Sequence, residues 1–292
     1  MKKLFAILFL SAAAVTFTAC GGGDKAAGGE GGKEDSGDKV TLRFKPAAGT
    51  KKTVDMQMNM SYMGIDMDMG MWATMTAKNL RENGDVEVET EYTRITVKMN
   101  VMGQNVDYDS DRDKDVSGDP MMAAYGMMAQ MLNKPVGMVM NDKGGVVEAP
   151  DMTALLGDSL AAMAGGGEKN TDQMGQMFDN MFAPFPENEV KTGDSWDKEA
   201  EIKSANGPMK VKAKYTVDKI TENEVVLKVS GDLSGDMVAE GNSVSMSGTM
   251  DGSMTIDRKE GWTSSVDMTQ DISMSLMGQN VNMKLGIKMT IK

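Results

Sequence analysis

Two runs of the chain place methionine at every second position: Met56, Met58 and Met60, then Met67, Met69 and Met71. A thioether is a soft, polarizable ligand suited to Cu(I) or Ag(I). It is also a flexible apolar group that fills irregular cores. Methionine makes up 33 of the 292 residues and recurs through almost every apolar segment instead of forming one cluster. The chain has no histidine, and its one cysteine lies far away at position 20. Packing is therefore the better account of these six side chains, with methionine-based Cu(I) or Ag(I) binding kept as the alternative.

Other chemistries lack their residues. Without histidine there is no Ser-His-Asp triad and no Cys-His dyad, and zinc sites of Cys/His type are excluded. No glycine-rich loop has nucleotide-binding spacing. Asp107, Asp109, Asp111, Asp113 and Asp115 alternate along the chain. As a calcium loop beginning at Asp107 this series fails, because position six is Arg112 and position twelve is Gly118. A solvated strand end is the better account. A carboxylate-dependent hydrolase would need a defined acidic pair, and none stands out. No catalytic residue and no cofactor is expected, and the chain is not expected to be an enzyme.

The one residue with assignable covalent chemistry is Cys20. Lys2 and Lys3 precede an apolar run from Leu4, and small residues lead to Thr18-Ala19-Cys20. The run is short for a membrane span and suits a cleaved signal. The pattern looks like a bacterial lipoprotein signal peptide, which would make Cys20 the lipidated N-terminus of the mature chain. A diacylglycerol thioether and an acylated amine would then hold the protein at a membrane, at about 0.8 kcal/mol per buried methylene. Gly21, not Asp, follows the cysteine. By resemblance to known sorting rules this favours the outer membrane. Removing Lys2 and Lys3 takes the formal charge from −12 to −14, so nucleic acid is not an expected partner.

These residues need elements to position them. Residues 1–19 form the expected signal, and 20–38 a lipidated cysteine with a tether carrying eight glycines. Such a tether has an r.m.s. span of roughly 25 Å. Residues 39–110 read as a first β half. Val40–Phe44 alternates, and Val54–Tyr62 and Ile65–Met75 alternate on opposite parities across Met63-Gly64, as a hairpin requires. A further strand follows Asn83-Gly84 and changes parity between Tyr92 and Ile95. Residues 111–189 read as a helical insertion, with helices over about 120–132, 150–164 and 171–182 and a short hairpin at 136–147. Residues 190–292 read as a second β half, with strands at 214–220, 224–230, 243–250, 253–256, 262–276 and 281–291. Met-Gly-Gln-Asn-Val occurs at 102–106 and again at 277–281, each time between alternating strands, which suggests an internal duplication.

The cysteine signal, the glycine-rich tether, Leu42-Arg43-Phe44-Lys45-Pro46 with Gly49, the methionine-alternating hairpins and Val190-Lys-Thr-Gly-Asp-Ser-Trp196 together resemble a family of Bacteroidota outer-membrane lipoproteins of unknown function. The methionine runs also resemble the M-x-M motifs of envelope copper(I) and silver(I) carriers. The expected fold is mainly β with a helical insertion (α+β): long antiparallel meander hairpins arranged as a duplicated sheet or an open half-barrel. The expected function is a membrane-anchored, non-enzymatic binding or structural module of the envelope. Its expected partners are the membrane, through Cys20, and an apolar ligand or an envelope protein.

Overall fold

The computed structural model describes residues 39–101, 104–114, 125, 129–150, 185–204, 207–239, 242–276 and 279–292. Four strands come first: β1 (Lys51–Tyr62), β2 (Ile65–Leu80), β3 (Val86–Val101) and β4 (Gln104–Asp109). Next are β5 (Pro135–Met140), β6 (Val146–Glu148), β7 (Ser195–Ser204) and β8 (Gly207–Ile220). The last four are β9 (Glu224–Ala239), β10 (Asn242–Asp257), β11 (Thr263–Leu276) and β12 (Gln279–Ile291). All twelve belong to one open sheet in the order β6-β5-β3-β2-β1-β12-β11-β10-β9-β8-β7, with β4 beside the second half of β3. Every pairing is antiparallel.

The alternating runs form strands because period-two patterns give a pleated chain one buried and one wet face. Gly64, at φ 77°, supports the turn that switches parity between β1 and β2. The parity change in β3 is a bulge. Trp72 pairs with Arg94 and Ala73 with Tyr92, leaving Thr93 without a partner residue.

The expected α+β architecture is overturned. The described residues of 111–189 contain a 3-10 turn at Ala129–Met131 and the β5–β6 hairpin, which extends the sheet beyond β3. Of the helix expected at 120–132, Tyr125 is helical and Ala129–Met131 form the 3-10 turn, while 120–124 and 126–128 lie outside the described residues. The helix expected at 171–182, and that at 150–164 beyond Pro150, lie outside them. One sheet, not two, carries the strands of both halves, joined where β1 pairs with β12. β10 is one strand of 16 residues running through Gly252, where two strands were expected. Residues 40–44 form an extended strap with a single bridge, Val40 to Val190.

The strap shows how strongly the sheet curls. The amide of Phe44 donates to the carbonyl of Asp142, in the β5–β6 turn, at 2.7 Å. The next amide, of Lys45, donates to the carbonyl of Glu260, in the β10–β11 turn, at 2.9 Å. Adjacent Cα atoms are about 3.8 Å apart, yet β5 and β10 are separated by six strand spacings, roughly 29 Å along the sheet. Only a curled sheet brings both turns to neighbouring residues. Val40, Leu42 and Phe44 are buried in the main core at this closed end, and Phe44 meets Trp262 edge-to-face at 4.9 Å. The Arg43 guanidinium donates to the carbonyls of Pro186 and Glu187 at 3.0 and 2.9 Å and pairs with Asp142 at 3.3 Å. Gly261 seats the strap, since a Cβ there would lie 2.1 Å from the Arg43 carbonyl oxygen.

The inner face permits the curl by alternating large and absent side chains. Gly248 lies between Leu233 and Ile272, and Gly252 between Val229 and Met268. Gly231 lies between Ala213 and Met250. Met250 folds over Gly231 and Met268 over Gly252, while Ile272 covers Gly248. On the outer face, Arg94 stacks over Trp72 at 4.9 Å and grips Asp109 through two bonds of 3.2 and 2.7 Å.

Two predictions follow from this packing. A Cβ at Gly252 would lie 2.1 Å from the Asp267 carbonyl oxygen and 2.5 Å from Met268 Sδ. Gly252→Val is expected to destabilise the fold by about 1–3 kcal/mol or more, measured by denaturant unfolding. The Arg94 bonds, with the Asp111 amide, hold the Asp109 carboxyl below its ordinary value of 3.8. Its stabilisation is complete above that value and is lost as the pH falls through the lower folded value. Asp109→Asn should therefore lower stability at neutral pH and shrink the loss on acidification, read from denaturant midpoints at about pH 7 and about pH 2.5.

Candidate ligand-binding face

The six sequence-singled methionines do come together. Met56 faces Met71, Met58 faces Met69, and Met60 faces Met67 across the β1–β2 pair, all on the inner side. On the other flank of β1, Met56 faces Met289, Met58 faces Ile287 and Met60 faces Leu285. Opposed residues in a sheet have Cβ atoms about 4.5–5.5 Å apart, so the thioethers form a continuous apolar patch.

Burial across this patch is uneven. Met67 and Met69 are 5% exposed and pack with Ile95, Val97, Met99, Val106, Tyr108 and Tyr125 in a core of their own. Met283, Leu285 and Ile287 of β12 belong to the main core. Between them, Met56, Met58 and Met60 on β1 are only half-buried, as are Met71 and Met289 beside them. Met58 and Met60 touch both cores. The middle strand of a curled sheet is where the inner face should be best covered, and here it is a trough. The methionines are its floor, and unbranched side chains can repack around a guest.

The inner face also carries polar groups that apolar packing does not require. Tyr215 on β8 and Trp196 on β7 oppose each other in register, with rings stacked at 5.6 Å and 14°. Tyr215 is 0% exposed, and burial pushes its hydroxyl pKa well up. Neither Tyr215 Oη nor Trp196 Nε1 meets a hydrogen-bond partner among the described residues. An unmet buried donor costs about 1–3 kcal/mol. Neither residue was singled out by sequence reasoning. Alternation marks both as inward, but only the folded pairing stacks their rings.

The remaining candidates are placed elsewhere. Cys20 lies outside the described residues. Asp107 and Asp109 lie in β4 and Asp111 and Asp113 just after it, while Asp115 lies outside the described residues. Arg94 holds Asp109, and Arg112 pairs with Asp107 at 3.2 Å and Asp113 at 2.8 Å. An outer groove of about 270 Å³ beside β5 and β6 is lined by Lys78, Arg81, Glu87, Glu89 and Glu148 among others. Its charges are spent on one another, in the pairs Lys78–Glu89, Arg81–Glu87 and Arg81–Glu148.

A search of curated proteins finds no match. Among solved structures the chain is similar to lipovitellin, in a study of its lipid–protein interactions, with a TM-score of 0.48 and 12% identity. That match covers 85% of this chain and 25% of the other, so this chain spans about a quarter of its length. A family of unknown function, DUF6263, matches residues 83–263, from the turn before β3 to the start of β11. The chain belongs to this family of unknown function, DUF6263.

Proposed function

We propose that this protein is an envelope lipoprotein, anchored in the outer membrane through Cys20, whose curled sheet holds an apolar ligand without chemical turnover. The observation that carries the proposal is the methionine trough along β1, half-buried between two fully buried cores. Covering apolar surface contributes about 25 cal/mol per Å², so an elongated apolar guest gains affinity simply by completing the core. Thioethers adapt to its shape with little strain. The tether at 20–38 would let the folded part stand off the bilayer at the end where the strap enters.

Two experiments test separate parts of this proposal. For the anchor, growth with a labelled fatty acid should label the wild-type chain and leave it in the membrane fraction. Cys20→Ser should abolish both; a Cys20→Ser chain that stays labelled and membrane-bound overturns the anchor. For the trough, the chain is secreted as Cys20→Ser and examined by native mass spectrometry with lipid extraction. Co-purifying apolar molecules are expected, along with binding of a fluorescent hydrocarbon probe. Met58→Lys, which puts a charge in the trough, should weaken the probe at least about tenfold. A ligand-free protein that binds no probe overturns the reading. Titration with Cu(I) separates the alternative, for which Met56, Met58, Met60, Met67, Met69 and Met71 now stand on one face. Binding tighter than about micromolar would favour the metal.

A further inference from the structure

We infer that Tyr215 Oη and Trp196 Nε1 form a two-donor site for the acceptor head group of the ligand, and that the ligand is a long-chain fatty acid or a close carboxyl relative. The inference rests on the apolar-ligand reading above and adds polarity, orientation and length to it.

Three observations converge. The first is chemical. An indole N–H can only donate, and burial keeps the Tyr215 hydroxyl protonated at physiological pH. Two donors on stacked rings, without a partner among the described residues, call for an acceptor, and a carboxylate or carbonyl oxygen accepts more than one bond. The second is position. Tyr215 and the trough residue Met58 lie on one cross-strand row, through Ile287, Met268, Gly252 and Val229. That row spans five strand spacings, roughly 24 Å along the sheet and less across the curl, which is the scale of a long acyl chain. The third is adaptability. Met268 occupies the space above Gly252, where a Cβ would lie 2.5 Å from its sulfur. The row is thus covered at that point by a flexible thioether and not by a branched side chain. The tail would lie over the trough on β1 and the head group under β7 and β8.

The test uses the full chain carrying Cys20→Ser, with two fluorescent probes of similar length: a polyene fatty acid and a polyene hydrocarbon lacking any acceptor. Wild type is expected to bind both, the acid more tightly. Tyr215→Phe and Trp196→Phe, each keeping an aromatic ring, should weaken the acid about tenfold and leave the hydrocarbon unchanged. Thermal stability of Tyr215→Phe should match or exceed wild type, because the lost hydroxyl has no partner among the described residues. Unchanged acid affinity in both variants overturns the head-group site while the trough stands. A Tyr215→Phe chain that loses stability but not acid affinity shows a bound water only, and also overturns it. Failure of wild type to bind the hydrocarbon overturns the trough, and this inference with it.

Discussion

Two consecutive backbone amides, those of Phe44 and Lys45, donate to turns that stand six strands apart in the sheet order. Much else in the fold depends on this pair of bonds. They draw the β5–β6 turn and the β10–β11 turn toward each other, and so set how tightly the sheet curls. The strap that carries them also buries Val40, Leu42 and Phe44 at the closed end. An open sheet leaves β6 and β7 unjoined, so hydrogen bonds along the strands do not hold the curl. The strap does that work from one end, aided by Arg43 and by the glycine at position 261.

The inner face is matched to that curvature. A sheet bent toward its inner side crowds the side chains there, and glycines at 231, 248 and 252 make room for Met250, Ile272 and Met268. Methionine is suited to the remaining space because it bends where leucine or valine cannot. The same two residue types therefore set both the curvature of the sheet and the softness of its inner face. Glycine sets the bend, while methionine fills the bend where the core is closed and leaves a soft floor along β1 where it is not.

Much of the β structure was legible in local alternation. The switch of parity across Met63-Gly64 located the first hairpin, and the shift between Tyr92 and Ile95 marked a bulge. The apolar spacing of residues 120–182 suggested a helical insertion, whereas the hairpin recognised within that region joins the sheet. β7 was not recognised, because Asp197, Lys198, Glu199 and Glu201 dilute the few inward residues Trp196 and Ala200. The sequence divides β10 into strands at 243–250 and 253–256, whereas Gly252 between them is a close approach inside one strand. The strap was missed for a different reason. Val40, Leu42 and Phe44 alternate identically whether their partners are a neighbouring strand or turns far away in sequence. For the same reason the Trp196–Tyr215 donor pair could not be read beforehand, because it exists only in the register between β7 and β8.

The strap also makes the fold a mechanical device. A pull arriving from the residues ahead of Lys39 reaches first the two bonds between Val40 and Val190. Beyond them it meets Arg43 and the two strap amides, which divide the load among the segment at 186–187, the β5–β6 turn and the β10–β11 turn. Tension is thus spread across distant parts of one sheet before it reaches β1, a central strand clamped on both flanks. A protein hung by its N-terminus from a moving surface would yield last at the strand that carries its methionine trough.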